Sequence, residues 1–282
     1  VTARRSAASV ERARAAGGDH ARDFDTRLRH LSDRHERWRA FADFCEVGAL
    51  SFANVFRQDP KIEERYARIL ATYDEEERSA LPELLGVVTE ALEDEPAEDF
   101  LGAAFMRNEL SSHWAGQFFT PASVSLAIAA TLVGDGEDLR ARVAERGYVS
   151  LAEPACGAGG MVLAFAHAMR EAGIEPQRHL YVEATDLSPT CAHMTLIQLS
   201  LSGIPARVVL GNSLSLEVRE TFETPAFHIG LWGARLRGAE RLPRLDVAVD
   251  DPPTAAPVVE PTVAAARRGK PAQLSLDLGD AA

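Results

Sequence analysis

Apolar side chains recur at helical spacing through the first hundred residues. From Asp23 onward, Phe24, Leu28 and Leu31 fall three and four apart, and Trp38, Phe41, Phe44 and Cys45 carry the stripe to about Phe56. That periodicity predicts one long amphipathic helix with these aromatics in its core face. Asp59-Pro60 breaks it and starts a second helix, from Ile62 to Tyr73, with Tyr66, Ile69 and Leu70 on one side. A third is expected from about Leu84 to Leu92 and a fourth from Asp99 to about Leu110. Residues 1–20 are rich in Ala, Arg and Gly without periodicity, which predicts a disordered arm ahead of a helical region over 21–112.

Beyond this region short apolar runs alternate with helical ones. Thr120-Pro121 suits a helix start, Thr as cap and Pro at the first position, and the helix runs from Val124 to Leu132. Gly147 to Ala152 reads as a short buried strand and Met161 to Arg170 as a helix. Arg178 to Asp186 is a second strand, Thr190 to Leu201 a helix, and Ala206 to Leu210 a third strand. Successive strand–helix units predict an α/β fold with a Rossmann-like sheet, in which ligands bind beyond the carboxyl ends of the strands.

Three positions fall on that edge. The turn Glu153-Pro-Ala-Cys-Gly-Ala-Gly159, followed by Gly160, joins the first strand to its helix. Its glycines bare the backbone, so a ligand can approach the N–H groups and the positive helix end. Gly157-x-Gly159 is shorter than the dinucleotide fingerprint, so NAD is not the obvious occupant. Asp186 ends the second strand, where an acid suits bidentate acceptance from ribose hydroxyls. Asn212, just past the third strand, is placed to accept from a purine amino group.

Composition narrows the setting. The three cysteines, Cys45, Cys156 and Cys191, form no Cys-x-x-Cys pair, which suits a reducing compartment and argues against structural zinc. Cys156 stands within the turn as a conceivable thiol nucleophile or, more simply, a small residue tolerated beside a ligand. No apolar run reaches membrane-spanning length and no apolar leader opens the chain, so a cytoplasmic protein is expected. The net charge of −12 is a poor footprint for a phosphate backbone. Arginines gather in residues 1–40 while Asp74 to Asp99 is acidic, so nucleic-acid binding would be local or shared with a partner.

In combination these segments resemble the adenine-specific DNA methyltransferases, most closely the modification subunit of type I restriction systems. Asp99-Phe-Leu-Gly and Trp114-Ala-Gly-Gln-Phe-Phe-Thr-Pro121 resemble the entry to that family's catalytic domain. Glu153 to Gly159 resembles its cofactor loop, with Glu153 for Asp and Ala158 for Ser. Asp186-Leu-Ser-Pro and Gly211-Asn-Ser-Leu resemble the next two cofactor motifs. The resemblance implies S-adenosylmethionine as cofactor, in a methyltransferase-like domain over 113–249. Phe119, Thr120 and Pro121 would hold its methionine end, the Gly157–Gly159 backbone would pass close beneath the sulfonium, and Pro154, Ala155 and Cys156 of the same loop would also bind the cofactor. Glu153 would meet the ammonium group directly or through water, Asp186 the ribose and Asn212 the adenine.

The family also carries Asp/Asn-Pro-Pro-aromatic, whose ring stacks on a flipped base. Phe222 to Trp232 contains no such motif. The nearest match is Asp251-Pro252-Pro253-Thr254, after the strand-like Leu245 to Val249, and Thr254 has no ring. Only 28 residues follow Thr254, so the sheet is expected to be cut short, with 250–282 a disordered Pro/Ala-rich tail. Within it, Gln273-Leu-Ser-Leu-Asp-Leu278 resembles the peptide by which bacterial proteins dock on the replication sliding clamp. The resemblance implies an adenine-N6 DNA methyltransferase of restriction–modification type, with Asp251, Pro252 and Pro253 as its catalytic turn and a separate specificity or partner subunit. The alternative is a catalytically deficient cofactor-binding accessory or anti-restriction protein of the same descent.

Overall fold

The computed structural model describes residues 7–108, 110 and 119–240, with the backbone alone at 7–18, 239 and 240. Where the apolar stripe predicts one helix there are two, α1 (Ala7–Leu31) and α2 (Arg37–Arg57). The break falls at Ser32 to Glu36, a polar run with no apolar side chain to bury. The arm expected over residues 1–20 is helical from Ala7, within a run of alanines and arginines of high helix propensity. α3 (Pro60–Leu70) starts as expected, with Asp59 accepting from Lys61 N at 2.9 Å and proline in the first turn. α4 (Glu75–Asp94) begins well ahead of Leu84, at a capping box in which Asp74 and Glu77 each accept from the other's backbone N–H. α5 (Phe100–Arg107) is capped by Asp99.

Phe24 sits at the centre of this helical region, edge-on to Phe41, Phe44 and Phe100 with ring centroids 6.3, 5.7 and 5.5 Å away. Trp38, expected in the same core, is instead 53% exposed, and its indole N–H donates to Glu36.

The second half runs α6 (Ala122–Val133), α7 (Glu137–Arg146), β1 (Val149–Glu153), α8 (Gly160–Glu171), α9 (Pro176–His179), β2 (Leu180–Asp186), α10 (Pro189–Leu201), β3 (Ala206–Asn212), β4 (Glu217–Glu223), α11 (Pro225–Ile229) and α12 (Trp232–Glu240). The strands form one sheet in the order β1-β2-β3-β4. β1, β2 and β3 are parallel, with Leu151 opposite Val182 and Ala184 opposite Val208, so their carboxyl ends share one edge. β4 lies antiparallel on β3, Phe222 opposite Val208. It is not the fourth strand the sequence suggests, since Leu245 to Val249 lies outside the described residues. β4 escapes the hydrophobic pattern because Phe222 is its one buried side chain; ion pairs hold two of the others, Glu223 with Arg207 and Glu220 with Arg65.

The helical region and the sheet share one continuous buried core despite the change of pattern between them. α2 packs on α10 so closely that a Cβ on Gly48 would lie 2.9 Å from Ile197 Cδ1. Arg65 of α3 reinforces the joint, donating to Glu46 at 2.6 Å and to both oxygens of Glu220 at 2.9 and 3.0 Å. Among the described residues no helix is long and apolar enough to cross a membrane.

Candidate cofactor site

At the carboxyl end of β1 the chain leaves Glu153, turns through Pro154 to Gly159 and enters α8. Cys156 N–H donates to Thr185 O at 2.9 Å, tying the turn to the neighbouring strand, and Gly159 N–H closes it onto Cys156 O at 2.8 Å. Gly157 adopts φ +56°, which favours glycine. A Cβ there would also lie 2.9 Å from the ring of Phe119, which packs over the turn. Phe119 is steadied in its place by Phe105, edge-on at 5.4 Å.

Asp186, at the end of β2, holds the turn from the other side. Its Oδ2 accepts from Gly157 N–H and its Oδ1 from Ser188 N–H, both at 2.9 Å. Each oxygen keeps a second lone pair for a ligand. Behind the turn, Thr195 Oγ1 donates to Gly157 O at 2.9 Å. The fully buried Gln198 accepts from Leu101 N–H at 3.1 Å and donates to Ala158 O at 2.6 Å and to Asp99 Oδ1 at 2.8 Å. Two side chains of α10 thus fix both the glycine turn and the start of α5.

These elements enclose a cleft of about 310 Å³. Phe119, Thr120, Glu153, Ala155, Cys156, Gly157 and Asp186, all expected at one ligand from the sequence, line it together. Pro121, Pro154, Gly159 and Asn212 do not. Pro121 caps α6, Pro154 is exposed, and Gly159 caps α8 with its back to Thr195. Asn212 is turned away from the expected role, its Oδ1 accepting from Leu214 N–H at 3.0 Å and Ser215 N–H at 3.3 Å. That side-chain turn caps the β3–β4 connection and leaves no lone pair for an amino group. Asp251, Pro252 and Pro253 lie outside the described residues, as does Gln273 to Leu278.

Among the described residues the lining contains three carboxylates, Asp99, Glu153 and Asp186, and no lysine, arginine or histidine. Burial raises the pKa of Glu153 and of Asp99, and the hydrogen bonds they accept only partly counter it. Burial also pushes the Cys156 thiol far above its usual range. A thiol so hard to ionise is no nucleophile, which favours the small-residue reading of this position. A cleft with three acids and no base suits a cationic ligand, and S-adenosylmethionine carries a sulfonium and an ammonium. Its ribose would find Asp186, and its sulfur region the bared backbone at Gly157. The residues fit the group.

Ser125 and Asp99 also line the cleft, and neither has a ligand role in the sequence reading. Ser125, 2% exposed, lies in the first turn of α6, and Asp99 is more than the marker of a domain entry. Neither stands in a motif whose chemistry names it. A wider groove of about 690 Å³ lies elsewhere, between α7 and the α8–α9 connection, lined by Arg140, Ile174 and His179 among others; it contains none of the residues of the turn.

A search of the solved structures finds a crystal structure described as a putative class I S-adenosylmethionine-dependent methyltransferase from Listeria monocytogenes. It is 14% identical, with a TM-score of 0.42, over 71% of this chain and 54% of that one, so this chain spans about half its length. No curated protein matches. The family model for N-6 DNA methylases matches residues 99–260, starting at the cap of α5 and taking in the whole turn, Asp186 and β3. Since that match covers more than half of the 282 residues, the chain belongs to the N-6 DNA methylase family, whose cofactor is S-adenosylmethionine.

Proposed function

We propose that this protein is an S-adenosylmethionine-dependent adenine-N6 DNA methyltransferase of restriction–modification type. The observation that carries the reading is the acidic cleft at the carboxyl edge of the sheet, where Gly157, Phe119 and Asp186 meet although 38 and 29 residues of chain separate the pairs Gly157–Phe119 and Gly157–Asp186. Bound there, the cofactor supplies an electrophilic methyl group on its sulfonium. Asp186 accepts from the ribose hydroxyls through the lone pairs that Gly157 and Ser188 leave free. The Gly157 backbone allows close approach beneath the sulfur, and Phe119 and Thr120 cover the methionine end. Asp251-Pro252-Pro253 serves as the turn that accepts the amino protons of adenine, so that the nitrogen lone pair faces the methyl group.

DNA is the substrate in this reading. The net charge of −12 argues that a separate specificity or partner subunit supplies much of the phosphate contact. Gln273 to Leu278 is a docking peptide for the sliding clamp, its alternating leucines suited to pocket capture. The absence of a ring at Thr254 favours a second reading, a cofactor-binding accessory or anti-restriction protein without transfer activity, because base stacking on an aromatic is worth about 1–3 kcal/mol.

Incubation with S-adenosylmethionine tritiated on its methyl group and duplex DNA separates the two. The enzyme reading expects label on adenine with the wild-type chain, alone or with its partner subunit, and none with Asp251→Ala. Cofactor binding without any transfer leaves the accessory reading.

A further inference from the structure

We infer that Asp99 is a cofactor-contact residue that receives the α-ammonium group of S-adenosylmethionine through its Oδ2. The inference deepens the proposed cofactor reading and rests on it. Asp99 caps α5, and both donors that reach its side chain use one oxygen: Gly102 N–H at 2.9 Å and Gln198 Nε2 at 2.8 Å end on Oδ1. Among the described residues Oδ2 takes no hydrogen bond.

Two glycines let that oxygen sit close against the backbone. A Cβ on Gly102 would lie 2.2 Å from Oδ2, and one on Gly160 would lie 2.9 Å from it. Gly160 is the first residue of α8, immediately after the cofactor turn, so Oδ2 stands at the start of that helix, and Asp99 is part of the wall of the cleft.

Among the described residues no cationic side chain acts on this carboxylate. Burial is the largest influence on its proton affinity and raises it; the hydrogen bonds from Gln198 and Gly102 act the other way. A half-buried carboxylate with no counter-charge among the described residues is left for a ligand cation to complete.

Position selects which cation. Asp186 grips the turn at Gly157 N–H, whereas Asp99 is joined through Gln198 to Ala158 O and abuts Gly160, at the other end. A cofactor whose ribose lies on Asp186 and whose sulfur crosses the turn brings its amino acid to Asp99. Glu153 is the rival for the ammonium, but among the described residues its carboxylate accepts one long hydrogen bond, from Ala155 N–H at 3.4 Å. Two donors on Oδ1 fix Asp99 and pre-organise Oδ2 for its ligand.

The test is calorimetric titration of the full chain and its Asp99→Asn variant with S-adenosylmethionine, S-adenosylhomocysteine and 5′-methylthioadenosine. The second ligand keeps the ammonium without the sulfonium charge, and the third has neither. Asparagine is an equally good helix cap and keeps an oxygen for Gly102 and Gln198; a thermal melt of each protein checks this. The expected result is a loss of about ten- to hundredfold for the first two ligands, the range for a hydrogen bond to a charged group, with methylthioadenosine unchanged. A loss confined to S-adenosylmethionine would make Asp99 a sulfonium partner and overturn the inference. So would an equal loss for all three ligands, or no loss. A variant that fails to fold is replaced by Asp99→Ser, another strong cap, judged by the same pattern. A wild-type chain that ignores all three ligands rejects the cofactor reading itself, and this inference with it.

Discussion

Replacing Gln198 by leucine tests how the glycine turn is held. The side chain is fully buried in α10, and its amide serves three groups: Leu101 N–H, Ala158 O and Asp99 Oδ1. Leucine of similar volume fills the space but makes none of these bonds. Leu101 N–H and Ala158 O then become buried polar groups without a partner, each costing about 1–3 kcal/mol, and Asp99 loses one of its two donors. The sum is about 3–5 kcal/mol, a large part of the 5–15 kcal/mol that typically separates a folded domain from its unfolded chain. Urea unfolding followed by circular dichroism measures it, since the midpoint shifts while the slope stays the same. The turn also loses its anchor at Ala158, so cofactor affinity falls in parallel. A leucine variant within about 1 kcal/mol of wild type, with unchanged cofactor affinity, would refute the claim that Gln198 organises the site.

Gly157→Ala forces a left-handed backbone on a residue with a Cβ, at about 1–2 kcal/mol, and drives that Cβ against Phe119. A fall in cofactor affinity of about tenfold or more by calorimetry is expected. Burial lowers the pKa of His193 to about 4, with Arg65 acting in the same direction. Between the ordinary histidine value and about 4 the unfolded chain binds a proton that the folded one does not. Stability from this residue is therefore complete above about pH 6.5 and is lost as the pH falls toward 4. Relative to His193→Phe, the wild type should lose up to about 1.4 kcal/mol per pH unit in that window; parallel unfolding curves at each pH would contradict this. Cys45, Cys156 and Cys191 are all buried with raised pKa values, so none should react with iodoacetamide at pH 8 until denaturant is added. Rapid labelling of Cys156 in the native protein would reopen the case for a reactive thiol.

The parts of the site that could be read from the chain are those fixed by neighbours in sequence. The glycine turn follows from a strand, three glycines and a helix in succession, and the place of Asp186 from the end of the next strand. Phe119 came from the family motif, and its ring does pack on Gly157. Asp99 and Gln198 were not legible because their bond spans 99 positions and depends on how α5 and α10 cross. Asn212 sits where expected along the chain, but a local turn claims its oxygen. In the fold, the helix boundary at Asp59-Pro60 was clear from the chain. The break at Ser32 and the charged strand β4 were not: the stripe resumes at Trp38, seven residues and about two helical turns after Leu31, and β4 carries no apolar pattern. A strand held by Arg65–Glu220 and Arg207–Glu223 gives no period-two signal of hydrophobicity.

S-adenosylmethionine is expected to bind in the acidic cleft over Gly157 and Asp186. Calorimetric titration of the wild-type chain alongside Asp186→Ala addresses it directly. One molecule of cofactor per chain should bind saturably to the wild type, and the variant should lose about tenfold or more in affinity as two ribose contacts disappear. No saturable binding to the wild type, or equal binding to both proteins, would contradict it.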